Sequence, residues 1–85
     1  MPMRAYLLVS VVDDMGQDYF IKAVRALEEM QGVEFVDPVT GSFDMIIMVE
    51  APLTIETLVK KINSKSWVRR VEVLRVVSIF ERCKA

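Results

Sequence analysis

Residues 33–51 read VEFVDPVTGSFDMIIMVEA, and this stretch decides the fold. Two runs rich in β-branched and aromatic residues, 33–39 and 43–51, flank a turn-forming Thr-Gly-Ser triplet at 40–42. This spacing predicts two antiparallel strands joined by a tight hairpin. Pro38 has no backbone N–H to donate, so the strand that contains it is expected at an edge of a sheet.

The segments on either side of the hairpin predict the remaining elements. Upstream, residues 5–12 (AYLLVSVV) form a short apolar run typical of a buried strand. Residues 18–31 have apolar side chains every three or four positions, which predicts an amphipathic helix ended by Gly32. Downstream, the same helical spacing follows Thr54, which is placed to cap that helix, and residues 68–80 form a long β-rich run.

The resulting element order is βαββαβ, a strand–helix–strand unit used twice. This order predicts one ferredoxin-like α+β domain with a four-stranded antiparallel sheet and both helices on one face. The first and third strands are expected in the centre and the second and fourth at the edges. A chain of 85 residues supports one hydrophobic core, so we assign residues 1–85 to a single domain with 81–85 as a tail.

Both faces of the central strands are apolar, although the helices can cover only one. Tyr6 and Leu8 in the first strand, like Ile46 and Met48 in the third, alternate with equally apolar neighbours. A sheet face that meets water normally has polar residues at such positions. A bare apolar face of this size normally marks an interface. The sequence therefore predicts a sheet-to-sheet homodimer, a dimeric α/β-barrel type of assembly, with Tyr6, Leu8, Ile46 and Met48 in the contact.

Composition excludes several classes of function. The formal charge is −1, from 11 basic and 12 acidic residues, which argues against direct DNA binding. There is no histidine and one cysteine, so neither a zinc site nor an internal disulfide is expected, and we predict no metal and no cofactor. No apolar run is long enough to span a bilayer, and residues 1–12 lack the pattern of a secretory signal. We therefore expect a cytoplasmic protein without a membrane partner.

One motif at the hairpin resembles a known family. Residues 41–44 read GSFD, a G-x-x-D sequence between the second and third strands, after a helix that ends at Gly32. Within a complete βαββαβ chain this motif resembles the effector-binding domain of the Lrp/AsnC family of feast/famine regulators, called the RAM domain. The resemblance extends over residues 5–80, nearly the whole chain. It implies a ferredoxin-like fold and a domain that binds a small molecule.

The resemblance also implies binding partners and a role in the regulation of transcription. Domains of this family bind amino acids or related small effectors between subunits, and their dimers assemble into octamers or decamers. Family regulators carry an N-terminal helix-turn-helix, whereas here the first strand begins within a few residues of Met1. We therefore expect a stand-alone form that does not bind DNA directly, modulates transcription through oligomerisation and has a full-length Lrp/AsnC regulator as a partner.

The hairpin supplies groups that suit a zwitterion. Gly41 permits close backbone approach, so nearby amides can donate to a carboxylate, while Asp44 can pair with an α-ammonium group. The alternative is ordinary turn chemistry, in which Asp44 accepts hydrogen bonds only from backbone amides of its own hairpin. The predicted ligand-binding residues are Thr40, Gly41, Ser42, Phe43 and Asp44.

Other functions remain open at this point. One is a small enzyme of the dimeric α/β-barrel type, similar in fold to heme-degrading or quinol monooxygenases. Without histidine the chain lacks the usual axial ligand and general base, so we predict no catalytic residues and a non-enzymatic domain. A purely structural assembly domain is a further alternative. The related ACT domain would also bind amino acids, but the position of the G-x-x-D sequence favours the RAM pattern.

Overall fold

The computed structural model describes residues 3–51 and 55–82, which form one antiparallel sheet and three helices. The elements are β1 (Met3–Val11), α1 (Gln17–Glu28), β2 (Val33–Pro38), β3 (Met45–Ala51), α2 (Ile55–Asn63), β4 (Val68–Arg75) and α3 (Ile79–Arg82). The strand order is β2-β3-β1-β4, so β1 and β3 are central and the Pro38-containing strand is at an edge, as predicted.

One face of the sheet, the inner face, packs against α1 and α2. The strand register places Leu7 opposite Ile47 on β3 and Val73 on β4. Leu7 and Ile47 are fully buried, as are their inner-face neighbours on β1 and β3. From the helices, the core receives side chains three, four or seven residues apart, which confirms the predicted amphipathic pattern. These helical core residues are Ala23, Leu27, Ile55, Leu58 and Ile62.

The first helix is shorter than predicted. It ends at Glu28 rather than at residue 31, and the Met30 N–H then donates to the Leu27 carbonyl in a turn. Gly32 follows with φ +95°, a conformation that favours glycine. A Cβ at Gly32 would lie 2.9 Å from Cδ1 of Leu58. Both the backbone conformation and the close packing of α2 therefore require glycine at this position.

The prediction of a long final strand over 68–80 is wrong, because β4 ends at Arg75. The Val76 N–H still donates to the Arg4 carbonyl, and within the described residues this is the last backbone hydrogen bond between this segment and β1. Ser78 then caps α3, since its Oγ accepts a hydrogen bond from the Glu81 N–H at 3.2 Å. A serine followed three residues later by glutamate is a helix-start signal, and it overrides the β-rich composition.

Three further predictions concern the ends of elements. The prediction of a tight hairpin is wrong. Residues 39–44 form a six-residue loop, and β3 begins at Met45 instead of Phe43. Residues 81 and 82, predicted as the start of a tail, belong to α3. Residues 83–85 and the predicted cap Thr54 lie outside the described residues.

Candidate functional site

The β2–β3 loop, residues 39–44, is held in place by Asp44. The Asp44 N–H donates to the Val9 carbonyl at 2.8 Å, and the Asp44 carbonyl accepts from the Val39 N–H at 2.9 Å. Its carboxylate Oδ2 accepts a hydrogen bond from the Val11 N–H at 2.8 Å. The Asp44 carboxylate therefore supplies the hydrogen-bond acceptor for the last backbone N–H of β1. The predicted alternative, a carboxylate bonded only to its own hairpin, does not describe this contact.

The tip of the loop is open to solvent. Thr40, Gly41 and Ser42 are exposed, and Gly41 has φ +127° with no atom within 4 Å of the position a Cβ would occupy. The loop is tied back to the sheet where the hydroxyl of the buried Ser10 donates to the Ser42 carbonyl at 3.3 Å. The backbone around Gly41 is therefore sterically accessible to a ligand on that side.

A cavity of about 380 Å³ opens beside Asp44, between the end of β1 and the start of α1. Its polar lining includes two carboxylates and one amide, and no basic side chain. One of those carboxylates, Asp13, also accepts a hydrogen bond from the Arg69 guanidinium at 3.0 Å. Such a lining favours a ligand with a positively charged group and an apolar part. The lining residues are Val11, Val12, Asp13, Met15, Gln17, Phe20 and Asp44.

The five predicted ligand-binding residues do not all line this cavity. Asp44 lines it, residues 40–42 form the exposed tip, and Phe43 lies beneath the Arg70 guanidinium, whose Cζ is 5.3 Å from the ring centroid. Arg70 stands opposite Ser10 in the β1–β4 ladder. Cation–π contacts of this length are favourable, so Arg70 helps to hold the aromatic ring of the loop.

Sequence reasoning missed the cavity residues contributed by α1. Gln17 and Phe20 are 24 or more positions from Asp44 in the chain, and no local motif links them to the loop. The available signal was topological, because the connection after β1 must place the start of the following helix near the end of that strand. No feature of the sequence links Arg70 to the loop.

The second apolar face of the sheet, the outer face, is uncovered in the single chain. The register aligns Phe35, Met48, Tyr6 and Leu74 in one row across all four strands. Tyr6 is 37% exposed and Leu74 48%. The next row has Ile46 and Leu8 in its centre, both partly exposed, and Asp37 and Glu72 at its two ends. The four predicted interface residues, Tyr6, Leu8, Ile46 and Met48, are therefore brought together at the centre of this face.

A larger cavity of about 410 Å³ lies away from the loop, between α2 and β4. Ile55, Val59 and Val73 form its apolar walls. Glu56 and Arg75, which also line it, form an ion pair. Its opposite charges already satisfy one another, so this cavity is a weaker candidate for a charged ligand than the one beside Asp44.

No group of three or more His, Cys, Asp or Glu side chains within residues 3–51 and 55–82 is placed to hold a metal ion. In the same part of the chain, no helix has the length and apolar character needed to cross a membrane.

No protein-family model and no curated protein matches the chain, but solved structures do. An AsnC family transcriptional regulator from Agrobacterium tumefaciens matches with a TM-score of 0.79 at 13% sequence identity, over 91% of this chain and 51% of that one. A transcriptional regulator from Neisseria meningitidis, solved as a complex with L-methionine, matches with a TM-score of 0.74 at 14% identity and the same coverage. Both proteins have a stated role in transcription.

A protein from Thermus thermophilus matches over nearly its full length. The TM-score is 0.67 at 25% identity, over 89% of this chain and 94% of that one. By contrast, the chain spans about half the length of the two regulators. The chain therefore has the ferredoxin-like RAM fold of the AsnC/Lrp regulators, the family that its element order and G-x-x-D hairpin resemble.

Proposed function

We propose that this chain is an effector-binding domain of the Lrp/AsnC type, which binds an amino acid or a similar small metabolite beside the β2–β3 loop. The single observation that supports this most is the Asp44 carboxylate, the acidic residue of the G-x-x-D sequence. It lines the cavity of about 380 Å³ and is fixed in position by the Val11 N–H. Its Oδ1 has no hydrogen-bond partner among the described residues and is available to an ammonium group.

The groups around Asp44 match the parts of an amino acid. The α-ammonium group pairs with the Asp44 carboxylate, because charge-assisted hydrogen bonds are the strongest that a side chain can offer. Met15 and Phe20 provide apolar lining for a side chain. The exposed loop tip at Gly41 offers backbone amides to the carboxylate. The L-methionine complex of the Neisseria meningitidis regulator, which shares this fold, supports the same ligand class.

The output that we propose is indirect control of transcription through assembly. The outer face joins two copies into a homodimer, and dimers assemble further into an octamer or a decamer in which ligand sites lie between subunits. A full-length Lrp/AsnC regulator is the proposed partner, and the site of action is the cytoplasm. The fold shared with half of each of two transcriptional regulators supports this output.

Thermal unfolding against each of the twenty amino acids tests the proposal. A ligand that binds only the native state, at 100 times its dissociation constant, adds about 2.7 kcal/mol, which shifts the Tm of a domain this small by roughly 10–20 °C. We expect one chemical class of amino acid to give such a shift with the wild type. Asp44→Asn is the matched variant, because it keeps an acceptor for the Val11 N–H and removes the negative charge.

The variant separates ligand binding from folding. We expect Asp44→Asn to retain a Tm close to the wild type without ligand and to lose the amino-acid shift. The proposal is overturned if no amino acid shifts the wild-type Tm. An equal shift in the wild type and Asp44→Asn would remove Asp44 from the ligand site.

The outer face also favours a second candidate, a purely structural assembly domain. Such a domain would dimerise through Tyr6, Leu8 and their neighbours but would have an empty loop. The same experiment distinguishes the two, since a structural domain gives no Tm shift with any amino acid.

A further inference from the structure

The segment that follows β4 is apolar and uncovered. We call residues 76–82 the C-terminal arm. Ile79 is 71% exposed and Phe80 84%, and α3 buries none of its residues. A four-residue helix is not stable on its own, even with the Ser78 cap, because its nucleation cost exceeds what a single turn returns. The arm therefore needs a surface to pack on, and the described chain does not provide one.

The arm is continuous with the outer face. Leu74 points to that face, and Val76, two residues further along the same strand direction, extends it through the hydrogen bond to the Arg4 carbonyl. Among the described residues nine large apolar side chains are exposed, and seven belong to the outer face or the arm. Those seven are Tyr6, Phe35, Leu74, Val76, Val77, Ile79 and Phe80.

The size of the sheet face indicates what the arm does. Four strands about 4.8 Å apart and about six residues long, at about 3.3 Å per residue, present roughly 400 Å² per subunit. A stable dimer of standard size buries about 800 Å² on each partner. The outer face is a small footprint for such an interface, and its row through Leu8 and Ile46 ends in carboxylates on both edge strands. The arm adds four exposed apolar residues directly beside it, and a two-fold axis repeats the contact, so that a dimer contains one such contact from each of its two arms.

We propose that the C-terminal arm of one subunit packs against the outer face of a second copy of this chain, with Ile79 and Phe80 covering the edge of the partner's sheet. This inference rests on the sheet-to-sheet dimer of the proposed function and adds the element that completes its interface. It assigns a binding role to a segment whose sequence pattern indicated an additional length of strand.

Sedimentation equilibrium of a charged arm variant tests this role. The variant combines Ile79→Asp with Phe80→Asp. Its matched control combines Tyr19→Asp with Ile21→Asp on α1, which are the two exposed large apolar residues, among those described, outside the outer face and the arm. We expect the dimer dissociation constant to rise at least about tenfold for the arm variant, as for loss of a buried apolar anchor, and to change less than about twofold for the control.

The outcomes separate the arm from the dimer itself. All four substituted side chains are exposed in the single chain, so each variant is expected to keep the wild-type far-UV circular dichroism spectrum. A dimeric wild type with an unchanged dissociation constant in the arm variant overturns the arm alone. A monomeric wild type overturns both the arm and the sheet-to-sheet dimer, whereas amino-acid binding is judged by its own experiment.

Discussion

Leu7 and Leu8 are neighbours of the same type in β1, and they show how the two faces of the sheet differ. Leu7 points to the inner face and is fully buried beneath the helices, whereas Leu8 points to the outer face and is only partly buried. The same contrast holds for Ile47 and Ile46 on β3. Residue type alone therefore does not decide burial in this sheet, because the chain has enough helices to cover one face only.

This contrast separates two kinds of apolar surface. The inner face stabilises the single domain, since its side chains leave water when the chain folds. The outer face is partly in contact with water in the single chain. If a second molecule covers it, as we propose, its contribution depends on protein concentration. Substitutions on the two faces should therefore differ in both size and concentration dependence.

Leu7→Ala gives the largest expected effect. It removes a fully buried side chain and leaves a cavity beneath the helices, which lowers the free energy of unfolding by about 3 kcal/mol. Urea unfolding followed by Trp67 fluorescence measures the loss, and it should be the same at low and high protein concentration. A loss that grows with concentration would show that Leu7 also acts through the dimer.

Leu8→Ala is expected to lower the free energy of unfolding of the single domain by less than Leu7→Ala. Unlike that of Leu7→Ala, its effect should depend on protein concentration. We expect a loss of about 1 kcal/mol or less at low protein concentration, since the side chain is already partly exposed. At concentrations where the wild type is dimeric the loss should increase, because the variant forms the weaker interface. The same urea titration at the two concentrations measures this, and equal losses would contradict an interface role for the outer face.

Most of the fold could be predicted because local signals agreed with one another. Gly32 marked the end of the first helix region, and Pro38 placed its strand at an edge, as the structure confirms. The end of β4 could not be predicted in the same way. Val76 and Phe80 favour a strand, but a strand needs a partner, and among the described residues the last hydrogen bond to β1 is the one at Arg4.

The candidate site shows the same limit. The G-x-x-D motif identified Asp44, because the residues of a loop are neighbours in the sequence and form a recognisable local pattern. The rest of the cavity includes Gln17 and Phe20, which meet Asp44 only after the sheet has formed. The position of Phe43 depends on Arg70, a residue of the opposite edge strand. Contacts between residues that are distant in the chain depend on tertiary packing. Local sequence patterns therefore do not predict them.

Sedimentation equilibrium of the wild-type protein over a range of concentrations is the most direct measurement of what covers the outer face. We expect a species of twice the 9.7 kDa chain mass, or a larger even multiple, that dissociates on dilution. A single species of 9.7 kDa at every concentration would contradict the claim that this face joins two copies of the chain.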